Sequence, residues 1–190
     1  DEEADCQECD AGKFSIEEGM CVENCSECGA GKYSEALGAI SDETCIDCGA
    51  GKYSEITGAA SVDACLNCGA GKYSTAEGSS SEAACLQCSA SSDSLAGSSD
   101  VTDCVCRASF VGPNGGRCMM CEPGFFCPGG EISNPCPEHS ISSASSSNLD
   151  DCFCESGWYG SRGNCSSTCG DGFNVSDEEC DDGNANDFDG

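Results

Sequence analysis

The stretch Cys28-Gly-Ala-Gly-Lys-Tyr-Ser34 returns as residues 48–54 and 68–74, with a period of 20 residues. A degenerate copy, Cys9-Asp-Ala-Gly-Lys-Phe-Ser15, precedes them. Cysteine pairs of the form Cys-x2-Cys keep the same period, at 25/28, 45/48, 65/68 and 85/88, with 16 residues between pairs. Self-similarity at a short fixed period is the signature of a repeat array, in which each small unit stacks on its neighbours.

The composition favours small repeated units over one large domain. The chain has 190 residues, of which 22 are Cys, above the ~8–10% that marks disulfide scaffolds. Only 32 residues are Val, Ile, Leu, Met, Phe, Trp or Tyr, too few to furnish one contiguous core. We therefore predict a small disulfide-rich fold, mostly β or irregular, built as a linear array of short β-hairpin cysteine-rich repeats.

Charge and cysteine content limit the partners and the compartment. With 35 acidic and 7 basic residues the net charge is −28, a sign opposite to that of nucleic-acid binders. No apolar run approaches the ~18–20 residues of a membrane-spanning helix, so we expect no membrane span in this segment. An even cysteine count fits complete pairing, and disulfides persist in oxidising compartments. An extracellular protein is predicted, with covalent glycans on the three Asn-x-Ser sequons at Asn24, Asn164 and Asn174.

Translational symmetry restricts the pairing of the cysteines in the 20-residue repeats. The favoured arrangement joins the second Cys of one pair to the first Cys of the next, and each such loop contributes roughly 3 kcal/mol in the chain-entropy model. Bridging inside each Cys-x2-Cys is also symmetric, but it leaves the 16-residue spans unsecured. The predicted bridges are Cys28–Cys45, Cys48–Cys65 and Cys68–Cys85.

Each 20-residue unit is predicted to be a small β-meander. Gly29-Ala-Gly31 supplies a tight turn, residues 32–34 a short strand, and Gly38 another turn before the chain returns to Cys45. Aromatic residues at one position are expected to cover the adjacent disulfide or the next repeat (Phe14, Tyr33, Tyr53 and Tyr73). Lysines at the preceding position either bridge to carboxylates of another copy or are solvated (Lys13, Lys32, Lys52 and Lys72).

After Cys88 the pattern changes, and five domains are predicted. They are a degenerate N-terminal cysteine-rich module (1–27), three 20-residue repeats (28–88), two modules that each begin with a serine loop (89–135 and 136–168), and an acidic cysteine-rich repeat (169–190). Eight cysteines of the later modules are also predicted to form disulfides: Cys88, Cys104, Cys106, Cys118, Cys136, Cys152, Cys154 and Cys165. The pairing of Cys121, Cys127, Cys169 and Cys180 stays open.

The motif Cys-Gly-Ala-Gly-Lys-Tyr-Ser…Gly…Ser…Cys-x2-Cys resembles the ephrin-receptor-like cysteine-rich repeat, a relative of the modules of tumour-necrosis-factor receptors. The opening Cys6-x2-Cys9-x11-Cys21-x3-Cys25 resembles a receptor-type module, and this resemblance implies the bridges Cys6–Cys21 and Cys9–Cys25. The Cys-x-Cys segments at 104/106 and 152/154 look like half of an EGF-like unit. The tail after Cys169 is similar to a short repeat of large secreted proteins in which another Cys follows, so we expect the polypeptide to continue.

The patterns around the cysteines and the sole histidine favour structural roles over catalysis or metal binding. Cys25-x2-Cys28-x16-Cys45-x2-Cys48 fits the spacing of a four-cysteine zinc site, but the ladder continues without grouping into fours, which favours bridges. Redox chemistry at Cys-x2-Cys needs a βαβ scaffold, of which there is no sign. His139 lies in a serine-rich loop and is expected to be a surface residue. No catalytic residues are identified, and the chain is predicted not to be an enzyme.

Calcium is the one ligand that the sequence suggests. Oxygen-bearing side chains alternate near the end of the chain in the manner of calcium loops, and the alternative is a solvated acidic tail. The proposed ligands are Asp182, Asn184, Asn186, Asp187 and Asp189. No other cofactor is expected.

Arrays of nearly identical units with EGF-like modules resemble protist and algal surface proteins, among them flagellar hair (mastigoneme) proteins. This resemblance implies a structural glycoprotein at the cell or flagellar surface that assembles with copies of itself into a fibre. The alternative is the ectodomain stalk of a receptor or adhesion protein.

Overall fold

The computed structural model describes residues 8–16 and 24–167. The chain divides into two compact units, Asp1–Cys104 and Val105–Gly190. The described residues contain short strands and single 3-10 turns but no α-helix, so the predicted class, a disulfide-rich series of small β-hairpins, is confirmed. None of their helical segments has the length and apolar character needed to cross a membrane.

One corner recurs nine times along the described chain. Three residues after a cysteine the backbone has a positive φ, as at Gly31 (φ 87°), and the next amide donates to the carbonyl two residues before that corner, as from Lys32 to Gly29 (3.1 Å). A positive φ at the third residue is what a type II turn requires. The corner residues are Gly12, Gly31, Gly51, Gly71, Ser91, Ser109, Gly124, His139 and Gly157.

A strand begins immediately after each corner. The strands of the first unit are β1 (Lys13–Phe14), β2 (Ser26–Glu27), β3 (Lys32–Tyr33), β4 (Ile46–Asp47), β5 (Lys52–Tyr53), β6 (Leu66–Asn67), β7 (Lys72–Tyr73), β8 (Leu86–Gln87) and β9 (Ser92–Asp93). Four antiparallel hairpins pair β1 with β2, β3 with β4, β5 with β6 and β7 with β8. In each of the last three, the lysine and tyrosine of one strand face the two residues that follow the next cysteine.

The second unit uses the same hairpin, and four of its strands are longer, at four or five residues. Its strands are β10 (Val105–Cys106), β11 (Phe110–Val111), β12 (Met119–Met120), β13 (Phe125–Gly129), β14 (Ile132–Pro135), β15 (Ser140–Ile141), β16 (Phe153–Cys154), β17 (Trp158–Ser161) and β18 (Asn164–Ser167). Antiparallel pairs join β11 to β12, β13 to β14, β15 to β16 and β17 to β18.

The segment between the two strands of a hairpin differs from the predicted meander. The return strand follows Cys45 instead of leading to it, and Ser34 lies outside the strand. Most of these segments end in a 3-10 turn: Asp42–Thr44, Val62–Ala64, Glu82–Ala84, Val101–Asp103 and Leu149–Asp151. These turns lie directly before a cysteine, so they place its sulfur for the disulfide.

Backbone hydrogen bonds join successive repeats of the first unit. The amides of Gly31 and Ser34 donate to the carbonyls of Ser54 (2.8 Å) and Ala59 (3.0 Å), and the amide of Gly58 donates back to Cys28 (2.8 Å). The same three bonds recur in four consecutive steps, starting from the repeats at Cys9, Cys28, Cys48 and Cys68. We call this set the inter-repeat ladder. These bonds pair backbone N–H and C=O groups that a two-residue strand leaves without a hydrogen-bond partner.

The core consists of cystines and small side chains. Cys28, Cys48 and Cys68 have no exposed surface, and the largest fully buried side chains are all Cys or Ser. Ser34 and Ser54 lie six residues after these cysteines and are at most 1% exposed. With such an interior, the disulfides provide the stability that a large hydrophobic core provides in other proteins.

Candidate functional site

All 18 described cysteines are paired in nine disulfides. The three repeat bridges are those that the 20-residue symmetry favours, and Cys9 bonds Cys25. The others are Cys88–Cys104, Cys106–Cys118, Cys121–Cys127, Cys136–Cys152 and Cys154–Cys165. The four cysteines of the zinc alternative thus all take part in bridges. Cys6, Cys21, Cys169 and Cys180 lie outside the described residues.

At three glycines the backbones of two repeats approach each other closely. A methyl group on Gly31 would overlap the carbonyl oxygen of Gly78 and lie 2.6 Å from its carbonyl carbon. Gly78 belongs to the second repeat further along the chain, so this contact skips one repeat. Gly12 meets Gly58 in the same way, and Gly51 meets Gly97. Only a residue without a side chain allows these backbones to approach so closely.

Large aliphatic side chains form an exposed row on the first unit. Ile46, Leu66 and Leu86 occupy equivalent positions and are 53%, 53% and 52% exposed. Each faces the tyrosine of the preceding strand, as Ile46 faces Tyr33. We call Ile46, Leu66 and Leu86 the aliphatic row. Single exposed apolar residues are ordinary, but exposed apolar residues that recur with a constant period offer a surface that a partner can bind.

The tyrosines of strands β3 and β5 connect one repeat to the next through their backbones. Tyr33 forms a parallel β-bridge with Ala59 of the next repeat, and Tyr53 forms one with Ser79. Their side chains are half-buried. These positions therefore lie where one hairpin meets the next.

Three of the four repeat lysines contact carboxylates of their own chain. Lys32 lies 3.1 Å from Asp47, and Lys72 lies 2.6 Å from Glu82. The hydrogen bond that Lys72 donates lowers the pKa of Glu82, and its positive charge acts in the same direction. Lys13 lies 3.9 Å from Glu27, whereas Lys52 faces Asn67 across its hairpin. Exposed pairs of this kind contribute little to stability, because water and salt screen them.

Two of the five 3-10 turns are each capped by the carboxylate of an aspartate. Asp100 accepts from the backbone amide of Thr102 (2.8 Å) and also from its hydroxyl, and these bonds lower the pKa of Asp100. The amides of Ser147 and Asn148 donate to Asp151 and lower the pKa of its carboxyl group. Each turn closes as a capping box, so these acids have a local structural role.

The structure describes two of the three predicted glycosylation sites. Asn24 and Asn164 are both exposed, and Asn164 faces Ser161 where the β17–β18 hairpin turns. Asn174 and all five proposed calcium ligands lie outside the described residues. Within residues 8–16 and 24–167, no group of three or more His, Cys, Asp or Glu side chains is placed to hold a metal ion.

His139 occupies one of the nine corners, with φ 62°. Its ring stacks on Trp158 with a centroid distance of 3.4 Å and an interplanar angle of 5°, and its carbonyl accepts from the amide of Glu155 (2.9 Å). The histidine thus helps to join two hairpins of the second unit.

Both units share a residue spacing that the repeated letters do not reveal. From each of the nine cysteines, the third residue forms the corner and the sixth is small: Ser15, Ser34, Ser54, Ser74, Ser94, Gly112, Cys127, Ser142 and Gly160. Aligning the chain on this spacing, instead of on the letters Gly-Ala-Gly-Lys-Tyr-Ser, would have revealed it.

A family model described as Domain of unknown function (DUF4215) matches residues 151–190. The described part of this match contains the strands β16 to β18. Comparison with curated proteins gives no match. The chain is a disulfide-rich repeat protein whose residues 151–190 are similar to this family, and its many bridges indicate an oxidising, secretory or extracellular compartment.

Proposed function

We propose that this chain is a non-enzymatic extracellular structural protein whose disulfide-locked repeats form a rod that assembles with copies of itself into a surface fibre, such as a flagellar hair. The inter-repeat ladder is the observation that carries this proposal. It fixes each repeat to the next through the same three backbone bonds in four consecutive steps. An array of this kind gains order from nearest-neighbour contacts and needs no large core.

The aliphatic row supports contact between copies. Ile46, Leu66 and Leu86 recur with the same exposure, so a second copy presents aliphatic side chains with a matching period. Burial of these side chains between two copies would remove apolar surface from water at several equivalent points. The proposed partner is therefore another copy of the chain.

Charge sets a condition on this assembly. At a net charge of −28, copies without counterions repel one another, and salt weakens that repulsion. We expect assembly to need cations, covalent glycans or contacts between the modular ends. The experiment therefore varies the cation concentration.

The test is electron microscopy and sedimentation of the secreted, glycosylated protein over a series of protein and cation concentrations. Fibres or a growing ladder of oligomers are expected. A triple variant with Ile46, Leu66 and Leu86 replaced by Ser should associate less, whereas Ile56→Ser, which is 57% exposed outside the row, should behave as the parent protein. Monomers under every condition would overturn the proposal.

A stalk that carries a binding head is the second candidate. The observation that favours it is that the inter-repeat ladder is complete within one copy, so the array needs no partner to be ordered. A stalk would stay monomeric in the sedimentation series, and its full-length gene would encode a membrane span. A fibre subunit would instead encode more repeats.

A further inference from the structure

Asn114 is the one asparagine of the sequence that a glycine follows directly. It lies in the connection between β11 and β12, in a turn over residues 113–116 that is closed by a bond from the amide of Gly116 to the carbonyl of Pro113 (2.8 Å). Gly115 has a φ of 75°, as the third residue of a type II turn requires. The disulfide Cys106–Cys118 spans the same connection, so the turn belongs to a closed covalent loop.

Two groups of this turn have no hydrogen-bond partner among the described residues. They are the exposed side-chain amide of Asn114 and the backbone amide of Gly115. The backbone amide of Asn114, by contrast, donates to Oε1 of Glu131 (3.1 Å). Because glycine has no Cβ, no side chain shields the nitrogen of Gly115. Neither group therefore has to give up a hydrogen bond within the protein before the two approach each other.

We propose that Asn114 is a site of non-enzymatic deamidation, in which the backbone nitrogen of Gly115 is the nucleophile. This nitrogen forms a bond to the side-chain carbonyl carbon of Asn114 and gives its proton to water, and the side-chain nitrogen leaves as ammonia. Water then opens the succinimide ring at either carbonyl and leaves aspartate or isoaspartate at this position. No oxidant or reductant takes part, and the site does not depend on the assembly of copies.

The reaction changes the charge of this part of the second unit. Residues 104–121 contain no Asp or Glu, so the product supplies the first carboxylate of this segment. It belongs to the residue whose backbone amide binds the Glu131 carboxylate, and two negative charges repel each other. Either product should therefore weaken the contact between this turn and the β13–β14 hairpin, where the amide of Gly112 also donates to Gly130 (3.0 Å).

The experiment follows the whole secreted protein during incubation at fixed pH and physiological temperature. Peptide mapping by mass spectrometry detects the replacement of an amide nitrogen by oxygen, and chromatography separates the aspartate and isoaspartate peptides. Asn148 is the internal control, because it is also exposed but precedes Leu149, and its side chain accepts from the amide of Asp150 (2.8 Å).

Two variants test the chemistry. In Gly115→Ala the added Cβ crowds the attacking nitrogen, and in Asn114→Gln the longer side chain cannot close the same five-membered ring. The turn is exposed at Asn114, and a disulfide map of each variant establishes that the native bridges are retained.

Asn114 should convert at least about tenfold faster than Asn148, and Gly115→Ala should slow the conversion by about tenfold, since crowding raises the barrier to attack. Asn114→Gln should show no conversion at this position over the same period. In the converted parent protein, hydrogen exchange at the amide of Gly112 should accelerate, whereas exchange at Ser34 of the first unit should stay unchanged. Asn114→Gln protein incubated in parallel should keep its original exchange rate at Gly112.

Equal conversion of Asn114 and Asn148 would overturn the inference, and so would conversion of Gly115→Ala at the rate of the parent protein. Full conversion with unchanged exchange at Gly112 would overturn the predicted effect on the β13–β14 contact. Each of these measurements is made on one copy of the chain, so their failure leaves the fibre proposal standing.

Discussion

Gly31→Ala and Gly29→Ala place the same methyl group two residues apart with opposite expected effects. At Gly31 the backbone φ is +87°, and the methyl group would overlap the carbonyl of Gly78. At Gly29 an added methyl group meets no atom within 4 Å, and φ is not in the left-handed region. Comparing the two variants therefore separates the effect of a side chain at the positive-φ position from the effect of alanine elsewhere in the same turn.

The magnitude follows from two separate terms at Gly31. A side chain in the left-handed region costs about 1–2 kcal/mol, and a methyl group forced against backbone costs about 1–3 kcal/mol more. The sum is a destabilisation of about 2–5 kcal/mol. Gly29→Ala should instead stabilise the fold by about 0.4–1 kcal/mol, because alanine restricts the unfolded chain.

Hydrogen exchange followed by mass spectrometry is the assay, because it reports the local opening free energy of each segment. The amides of Ser34 and Gly58 belong to the inter-repeat ladder next to Gly31. A loss of about 3 kcal/mol accelerates their exchange roughly 100-fold. Since stability in an array is a sum over neighbours, amides of the second unit should exchange at unchanged rates.

Equal exchange rates in the two variants would refute the reasoning, since Gly31 would then have no special role. A loss spread evenly over the whole chain would refute the nearest-neighbour part alone. Far-ultraviolet circular dichroism and a disulfide map of each variant establish that both retain the native bridges.

The remaining predictions address the corner, the caps, the glycans and calcium. Ser91→Gly should raise the free energy of unfolding by up to about 1 kcal/mol in thermal melts, because Ser91 holds a φ of 65° that glycine adopts without strain; a loss of stability would contradict this. Asp151→Ala should lower the Tm at neutral pH. The folded-state pKa of Asp151 is lowered, so its contribution is present above the ordinary carboxyl pKa and disappears as pH falls through the folded-state value, where the two melting curves should converge. Asn164→Gln should remove one glycan from the intact mass of the secreted protein, and an unchanged mass would show that this sequon is not used. Calcium should raise the Tm of the parent protein but not that of Asp182→Ala, and equal melting curves in calcium and in chelator would favour the solvated tail.

The fold of residues 28–88 follows from the sequence because the letters themselves repeat. Strict periodicity of cysteine leaves few symmetric pairings, and Gly31 and Ser34 recur unchanged with it. The strand positions were harder to predict. The residues after Cys45 form the return strand because they face the strand that follows the preceding corner, and a strand of two residues carries no periodicity of its own.

The continuation of the same hairpin into the second unit was not predicted, since its corners tolerate different residues. Ser109 and His139 replace glycine at a positive φ, and Cys127 replaces the small buried serine. Loop lengths also vary, with bridges that span from 6 to 17 residues. A search for identical letters therefore misses geometry that a search for spacing finds.

The composition of the serine-rich stretches predicts loops, but some of their serines are buried. Ser94 and Ser142 are 7% and 2% exposed, and their hydroxyl groups donate to the carbonyls of Lys72 and Phe125. A small residue with its own donor fits where two hairpins meet. Composition alone cannot tell such a serine from a solvated one.

The sequential order of the disulfides has a mechanical consequence. The described bridges of the first unit, from Cys9–Cys25 to Cys88–Cys104, follow one another without interleaving. In a repeat, a pulling force therefore passes through Cys28, its bridge and Cys45 and bypasses the loop between them. With a Cα–Cα distance of 5.6 Å across the bridge and three residues to the next cysteine, the contour length is about 16 Å per repeat, against about 70 Å after reduction. Under tension the oxidised array therefore cannot extend beyond this contour length, and cleavage of each bridge releases a fixed increment of chain.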